Sequence, residues 1–367
     1  MNIALQNQAN DYIRALSPYQ PGKPITELSR ELNIKEENII KLASNENPLG
    51  ISPKAKIAIE KALSGLSRYP DQFELKNALA DDLNVNINQI VLGNGSNNLL
   101  DLIARIFLAP GLESIYSEYA FAIYPLATLS VGAKPIMAKS NHFGHNLNEI
   151  KNLINEKTKV IWIANPNNPT GTFLPHNEIL DFIQNIPKHI IVVIDEAYNE
   201  YLPKEKQANN VEGIQNHPNI IITRTFSKIY GLAGLRIGYA VTSLEIADLF
   251  NRIRTPFNVN NLALVAALSS RTDFEFLNKS FENNQNGMQF IENGLKNLNY
   301  EYIPSSGNFI TIYFNPEKES AESVNLKLLK KGIIVRPLKN YNLPNHLRVT
   351  IGTDYENARF LEELAKI

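Results

Sequence analysis

The sequence contains no cysteine among its 367 residues. That absence excludes a disulfide framework, thiolate-bound zinc, iron–sulfur clusters and a cysteine nucleophile. A charge bias is lacking too: 36 Lys and Arg stand against 37 Asp and Glu, for a formal net charge of -1. Near-neutrality removes the global electrostatic case for nucleic acid or an anionic membrane as a partner. No apolar run approaches the ~20 residues that cross a bilayer, and the candidates are as short as 190–194 (IIVVI). The opening MNIALQNQANDYIRAL lacks a basic stretch followed by an apolar one. No signal peptide is therefore expected, and the expected setting is the cytoplasm. The six histidines fall in no HExxH-type spacing, so no metal site is expected.

What is present is a hydrophobic fraction of 44%, too high for a disordered chain and ample for a core. Short β-branched runs stand at 90–92, 160–164 (VIWIA), 190–194 and 220–223, with weaker ones at 135–137 and 238–241. Runs of this kind read as strands buried on both faces of a parallel sheet. Helically spaced segments lie between them, such as Leu99, Leu100, Ile103 and Phe107. The alternation predicts an α/β fold with a mostly parallel, doubly wound sheet. Beyond residue 260 the texture changes. Helices are expected at 261–270, 275–298, 320–331 and 355–364, and strands at 302–314, 333–335 and 347–351. This mixture predicts a smaller α+β domain. The expected division is 1–45 as an N-terminal arm and part of the small domain, 46–260 as the large domain, and 261–367 as the small C-terminal domain.

Four segments next to expected strands carry chemistry. Residues 165–171 (NPNNPTG) force a turn at a strand's C-terminal end, the edge where open α/β sheets bind ligands. In 190–198 (IIVVIDEAY), Asp195 ends an apolar strand, where a carboxylate needs a partner or a task. Residues 225–238 (TFSKIYGLAGLRIG) place Thr225, Ser227 and Arg236 around Lys228. Hydroxyls and a guanidinium suit a phosphate, and a Lys among them can form a Schiff base. Residues 93–98 (GNGSNN), including Gly95, Ser96 and Asn97, lead into a helix whose N-terminal N–H groups suit an anion.

NPNNPTG, DEAY and SK followed eight residues later by Arg236 together resemble the fold-type I, class I/II aminotransferases that use pyridoxal 5'-phosphate. Their order and spacing match over nearly the whole chain. Residues 17–24 (SPYQPGKP), 41–50 (KLASNENPLG), 67–71 (SRYPD) and 347–353 (LRVTIGT) resemble the histidinol-phosphate aminotransferase subfamily. Residues 117–128 (SEYAFAIYPLAT) suggest a paralogous branch of it. The resemblance implies that Lys228 holds pyridoxal phosphate covalently and moves protons as a neutral amine. It implies that Asp195 faces the pyridine nitrogen. Tyr198 and Asn168 are implied at the ring's 3'-oxygen, and Tyr119 over the ring face. Gly95, Ser96, Asn97, Thr225, Ser227 and Arg236 are implied to hold the phosphate. Tyr69 would reach it from a second subunit, making a homodimer with shared active sites. Arg348 is implied to bind substrate anions, with Arg336 as a second such residue and Tyr19 closing over the substrate.

On this resemblance the expected reaction joins histidinol phosphate and 2-oxoglutarate to imidazole-acetol phosphate and glutamate, in histidine biosynthesis. An aromatic amino-acid aminotransferase on the same scaffold is an alternative. A decarboxylase of phosphothreonine type shares the motifs but not SPYQPGKP and SNENPLG. From a different class, a non-catalytic fold relative that binds or regulates is opposed by the intact Lys228 and Asp195. A dinucleotide-dependent dehydrogenase would need GxGxxG, which GNGSNN does not supply.

Overall fold

In the computed structural model, which describes residues 5–18, 22–207 and 210–367, the apolar runs become strands of one seven-stranded sheet. A short strand β1 (Ile40–Lys41) comes first in the chain. The large sheet holds β2 (Ile90–Gly93), β3 (Glu113–Ser117), β4 (Lys134–Ala138), β5 (Thr158–Ala164), β6 (Ile191–Asp195), β7 (Ile220–Thr225) and β8 (Gly238–Thr242). Their order is β2-β8-β7-β6-β5-β3-β4. Only β8 runs antiparallel to its neighbours. The other adjacent pairs are parallel.

Strand period places alternate side chains on opposite faces. Ile161, Ile163, Val192, Ile194, Ile220 and Ile222 enter one core cluster. Val160, Trp162, Ile191, Val193 and Ile221 enter the other. Both faces are thus apolar, which is why these strands read as continuous hydrophobic runs. The strand β3 (ESIYS) gave no such signal. Its buried polar groups are matched individually: Ser114 Oγ meets Thr128 Oγ1 at 2.7 Å, and Glu113 accepts from Asn155 at 2.8 Å.

A second, antiparallel sheet is built from β9 (Tyr302–Ile303), β10 (Phe309–Tyr313), β12 (Arg336–Pro337) and β13 (His346–Thr350), in the order β12-β13-β10-β9. The strand expected over 302–314 is therefore two strands. The intervening loop crosses to the NPNNPTG turn, where Ser306 N–H donates to the Gly171 carbonyl at 2.8 Å. Gly171 has φ +78°, and a Cβ there would stand 2.1 Å from Ser305 Oγ, so the crossing requires glycine. The strand expected at 333–335 is present one residue shorter, and a further short strand follows it. The short strand β11 (Ile333–Ile334) pairs in parallel with β1, while β12 joins the antiparallel sheet.

Beneath the second sheet, Ile40 and Leu42 pack with Ile310, Ile312, Leu328, Ile333, Leu347, Val349 and Phe360. Both ends of the chain therefore share this core. The helix Asn261–Ser270 lies elsewhere. Ala263, Leu264, Ala266 and Ala267 are buried in the large sheet's core, so apolar packing moves it from the expected C-terminal unit to the large one. The 24-residue helix Phe274–Asn297 links the units: Ile291 and Leu295 enter the second core, and Leu277 and Phe281 pack beside Tyr198. Among the described residues, no helix is long and apolar enough to cross a membrane.

Candidate active site

The C-terminal ends of β5, β6 and β7 open onto a cavity of about 200 Å³. The second sheet closes it from the opposite side. Ser96, Asn97, Asn168, Asp195, Tyr198, Thr225, Ser227, Lys228, Arg236 and Arg348 all line it, so ten of the residues selected from sequence converge.

The turn after β5 is tied by its own amides. Asn165 Nδ2 donates to the Leu174 carbonyl at 2.9 Å, and its Oδ1 accepts from Leu174 N–H at 2.8 Å. Asn167 Nδ2 donates to the Tyr119 carbonyl at 2.7 Å. Asn168 is thereby presented to the cavity, where its Oδ1 accepts from Arg348 Nη1 at 2.5 Å. A buried His145 braces the same strand ends, meeting Ser117 Oγ at 2.5 Å and the Ala164 carbonyl at 2.7 Å. Burial pushes its pKa down to about 4, so it serves as a neutral tie.

At the end of β6, Asp195 is buried. Its Oδ2 accepts from Tyr124 Oη at 2.9 Å, while Oδ1 has no hydrogen-bond partner. A buried acceptor left open is costly unless a ligand donor completes it. Burial raises the Asp195 pKa to about 6, with the Tyr124 hydrogen bond opposing that rise. The following residue, Glu196, pairs with Arg224 at 2.7 Å, pinning β6 to β7 just behind the cavity. Tyr198 is also buried, and burial pushes its hydroxyl up to about 12.

After β7, Ser227 N–H donates to Thr225 Oγ1 at 3.1 Å, and Arg236 Nη1 donates to Ser227 Oγ at 3.3 Å. Arg236 lies over the N-terminus of the helix Ser96–Phe107, whose N-cap is Gly95 with φ +77°. A Cβ on Gly95 would stand 2.4 Å from Arg236 Nη2. Glycine therefore lets a guanidinium and a helix N-terminus converge on one spot, an arrangement suited to an anion such as phosphate. Lys228 Nζ donates to the Ser44 carbonyl at 3.2 Å. Burial first, then the nearby Arg348 guanidinium, lowers its pKa to about 7. The open Asp195 acceptor, the near-neutral amine and the anion cradle together fit the ring nitrogen, aldehyde and phosphate of pyridoxal phosphate.

Gly95 sits beside the cavity as the helix N-cap, and three further selected residues, Tyr119, Arg336 and Tyr69, are not among its lining. Tyr119 lies outside its lining, with its ring tilted against Phe143 at 5.6 Å. Phe121, two residues on, lines the cavity instead, and Tyr124 follows it there. In the chain leaving β3, the Tyr119 carbonyl accepts from Asn167 Nδ2. Arg336 stands directly opposite Arg348 in the antiparallel register, yet it lines two adjacent cavities instead of this one. Tyr69 is 80% exposed and stacks on Phe257 at 4.4 Å. Tyr19 lies outside the described residues. Sequence reasoning gave no role to Asn45, Phe121, Tyr124 or Tyr341, which line the cavity. The F-x-x-Y spacing of Phe121 and Tyr124 was the available signal for two of them.

Comparison with known proteins agrees with this geometry. The family described as aminotransferase class I and II matches residues 37–364. Histidinol-phosphate aminotransferase 1 of Dechloromonas aromatica (strain RCB) is 56% identical over 364 residues, 99% of this chain and 99% of that protein. Histidinol-phosphate aminotransferase 2 of Nitrosospira multiformis is 49% identical, covering 100% of this chain and 92% of the relative. Among solved structures, the histidinol-phosphate aminotransferase of Sinorhizobium meliloti in complex with pyridoxal-5'-phosphate superposes with a TM-score of 0.88 at 25% identity, over 98% of this chain and 97% of that one.

Proposed function

The chain belongs to the aminotransferase class I and II family, and we propose that it transfers the amino group between histidinol phosphate and 2-oxoglutarate, giving imidazole-acetol phosphate and glutamate, in the cytoplasm. The observation that carries the reading is Lys228. Its amine sits at the meeting point of an open carboxylate acceptor and an anion cradle, with its pKa lowered to about 7.

Bound pyridoxal phosphate supplies an electron-accepting ring that stabilises negative charge on the substrate's amino-bearing carbon. The chain's residues supply the rest. Lys228 Nζ would hold the group and would accept and deliver the substrate proton as a neutral amine. Asp195 Oδ1 accepts from the ring nitrogen, and the Tyr124 hydrogen bond keeps this carboxylate charged and oriented. Arg236, Ser227, Thr225 and the N–H groups at Ser96 and Asn97 bind the phosphate. Tyr198 and Asn168 hold the 3'-oxygen, and Phe121 covers the ring face. The Arg348 fork binds a substrate carboxylate or phosphate, and Arg336 acts from the adjoining cavity.

The active form is a homodimer in this reading. Leu63, Leu66, Tyr69, Phe73 and Phe257 are exposed apolar side chains. A second subunit covering them would bring Tyr69 to its neighbour's phosphate site. Each half-reaction can be followed by the absorbance of the loaded protein. Histidinol phosphate is expected to discharge it at least ~10-fold more efficiently than phenylalanine, the worth of one charge-assisted contact. Discharge by phenylalanine alone would overturn the substrate assignment and leave the aminotransferase.

A further inference from the structure

Asn45 is 1% exposed, lines the cavity and has φ +55°, a left-handed conformation that Asn tolerates better than most residues. It lies between β1 and the large sheet, and four hydrogen bonds meet there. Its backbone N–H donates to Thr350 Oγ1 at 2.9 Å, and its Oδ1 meets the same hydroxyl at 3.2 Å. Its Nδ2 meets Tyr198 Oη at 2.9 Å, and its carbonyl accepts from Asn308 Nδ2 at 3.1 Å.

The proton positions follow from donor counting. A backbone N–H can only donate, so Thr350 Oγ1 is an acceptor on that side. Among the described residues, the acceptor within reach of the Thr350 proton is the Asn45 side-chain oxygen. This fixes which end of the amide is oxygen, a choice that local geometry otherwise leaves open. The amide nitrogen must therefore face Tyr198 and donate to it. With its oxygen taken by an N–H, Tyr198 has its own proton left for the cavity.

We propose that Asn45 and Thr350 are positioning residues that fix the Tyr198 hydroxyl as a donor into the cavity, toward the 3'-oxygen of the bound cofactor. The inference rests on the proposed function, because it names the group that receives the proton. It also ties the second sheet to the chemistry: Thr350 lies two residues beyond Arg348 on one strand face. Tyr198 is faced as well by Asp195, Arg348 and Tyr341, and Lys228 Nζ lies 5.5 Å from its ring centre. The hydrogen bond from Asn45 opposes the upward push of burial on its hydroxyl.

The test uses the full-length protein loaded with pyridoxal phosphate. Two quantities are read: the pH at which the bound cofactor's absorbance changes, and its dissociation constant. A donor lost from the 3'-oxygen leaves more negative charge there, which retains the neighbouring proton to higher pH. Tyr198→Phe is expected to move the transition upward by about one unit, equivalent to a tenfold change in proton affinity. Thr350→Val should move it the same way by about half as much, with cofactor binding weakened roughly threefold, and Thr350→Ser should restore both. Asn45→Asp, nearly isosteric and tolerant of the same φ, should move it at least as far as Tyr198→Phe. In the Tyr198→Phe background, Thr350→Val should add no further shift. An equal shift in both backgrounds, or a Ser variant that behaves like Val, would show that the pair only packs and overturn the inference. Failure of the unmodified protein to take up pyridoxal phosphate would instead remove the proposed function itself.

Discussion

On one side of the cavity, Asn168, Asp195, Thr225, Ser227 and Lys228 stand at or just past the C-terminal ends of β5, β6 and β7; on the other, Arg348 projects from β13 itself, with Thr350 beside it on the same strand face. The first wall comes from loops that leave parallel strands. Each loop is a contiguous motif that satisfies its own backbone, as Asn165 does with Leu174 and Ser227 with Thr225. The second wall needs no loop motif. Strand alternation commits Leu347 and Val349 to the core beneath the sheet, which sends Arg348 and Thr350 to the opposite face. Chemistry that depends on several atoms in fixed relation is thus placed on the loop wall. In the proposed reading, recognition of the substrate's charge, which one long side chain can supply, is placed on the strand wall.

The largest expected effect breaks the loop wall alone. Lys228→Ala should abolish the cofactor's covalent absorbance and lower transamination by at least ~10³-fold, the upper range of acid–base catalysis. Its circular dichroism should match the parent's, since the lysine contributes one hydrogen bond to the fold. Near-normal turnover in this variant would overturn the assignment. Next comes the strand wall. Arg348→Ala should lower kcat/KM by roughly 10–100-fold, the worth of about 1.5–3 kcal/mol for hydrogen bonds to a charged group. The cofactor's absorbance should survive, because Lys228 and the phosphate-binding groups stay in place when the Arg348 bond to Asn168 is lost. A variant that loses cofactor and substrate together would show that the two walls are one unit.

A smaller effect is expected at Gly95. Alanine there combines a positive φ with a Cβ 2.4 Å from Arg236 Nη2, so the guanidinium must leave the helix N-terminus. Cofactor affinity should fall about tenfold, in line with about 1–2 kcal/mol for a displaced charge-assisted bond. Inorganic phosphate should then protect the site less well. The pH dependence is a further test of the loop wall. Burial lowers the Lys228 pKa from its ordinary 10.5 to about 7, so the neutral amine is scarce below that pH and predominates above it. Capture of pyridoxal phosphate by the cofactor-free protein should therefore accelerate as pH rises through 7. A midpoint near 10 would place Lys228 in water.

The same contrast explains what could be read in advance. Strands β5, β6 and β7 were legible because burial on both faces leaves no polar interruption. β3 was not, because Ser114, Ser117 and Glu113 are buried against partners distant in sequence. Contiguous motifs gave Asp195, Lys228 and Arg236, and the resemblance carried by 347–353 gave Arg348. Asn45 escaped because its role comes from Thr350, 305 residues away. The break in 302–314 and the separate strand β12 after β11 escaped for a related reason: the chain changes partners there, and pairing is a tertiary fact.

The smallest effect concerns the aromatic cover, where the sequence reading chose Tyr119 and the cavity lining holds Phe121. Tyr119 and Phe121 lie two residues apart in an irregular segment, and both pack beside Leu338, Tyr341 and Leu343. Phe121 meets Tyr124 edge-on at 5.9 Å and lines the cavity. Tyr119 leans on Phe143 outside it. A ring over the cofactor contributes about 0.5–1.5 kcal/mol beyond its area, so Phe121→Leu should weaken cofactor binding by roughly 2–12-fold. Tyr119→Leu should change it by less than about twofold, while retaining the Tyr119 carbonyl's bond to Asn167. Both variants keep an apolar side chain of similar bulk, so a difference in cofactor dissociation constant reports the ring's position more than general packing. If Tyr119→Leu had the larger effect, the cover would come from the tyrosine, and the segment after β3 would have to turn over when the cofactor binds.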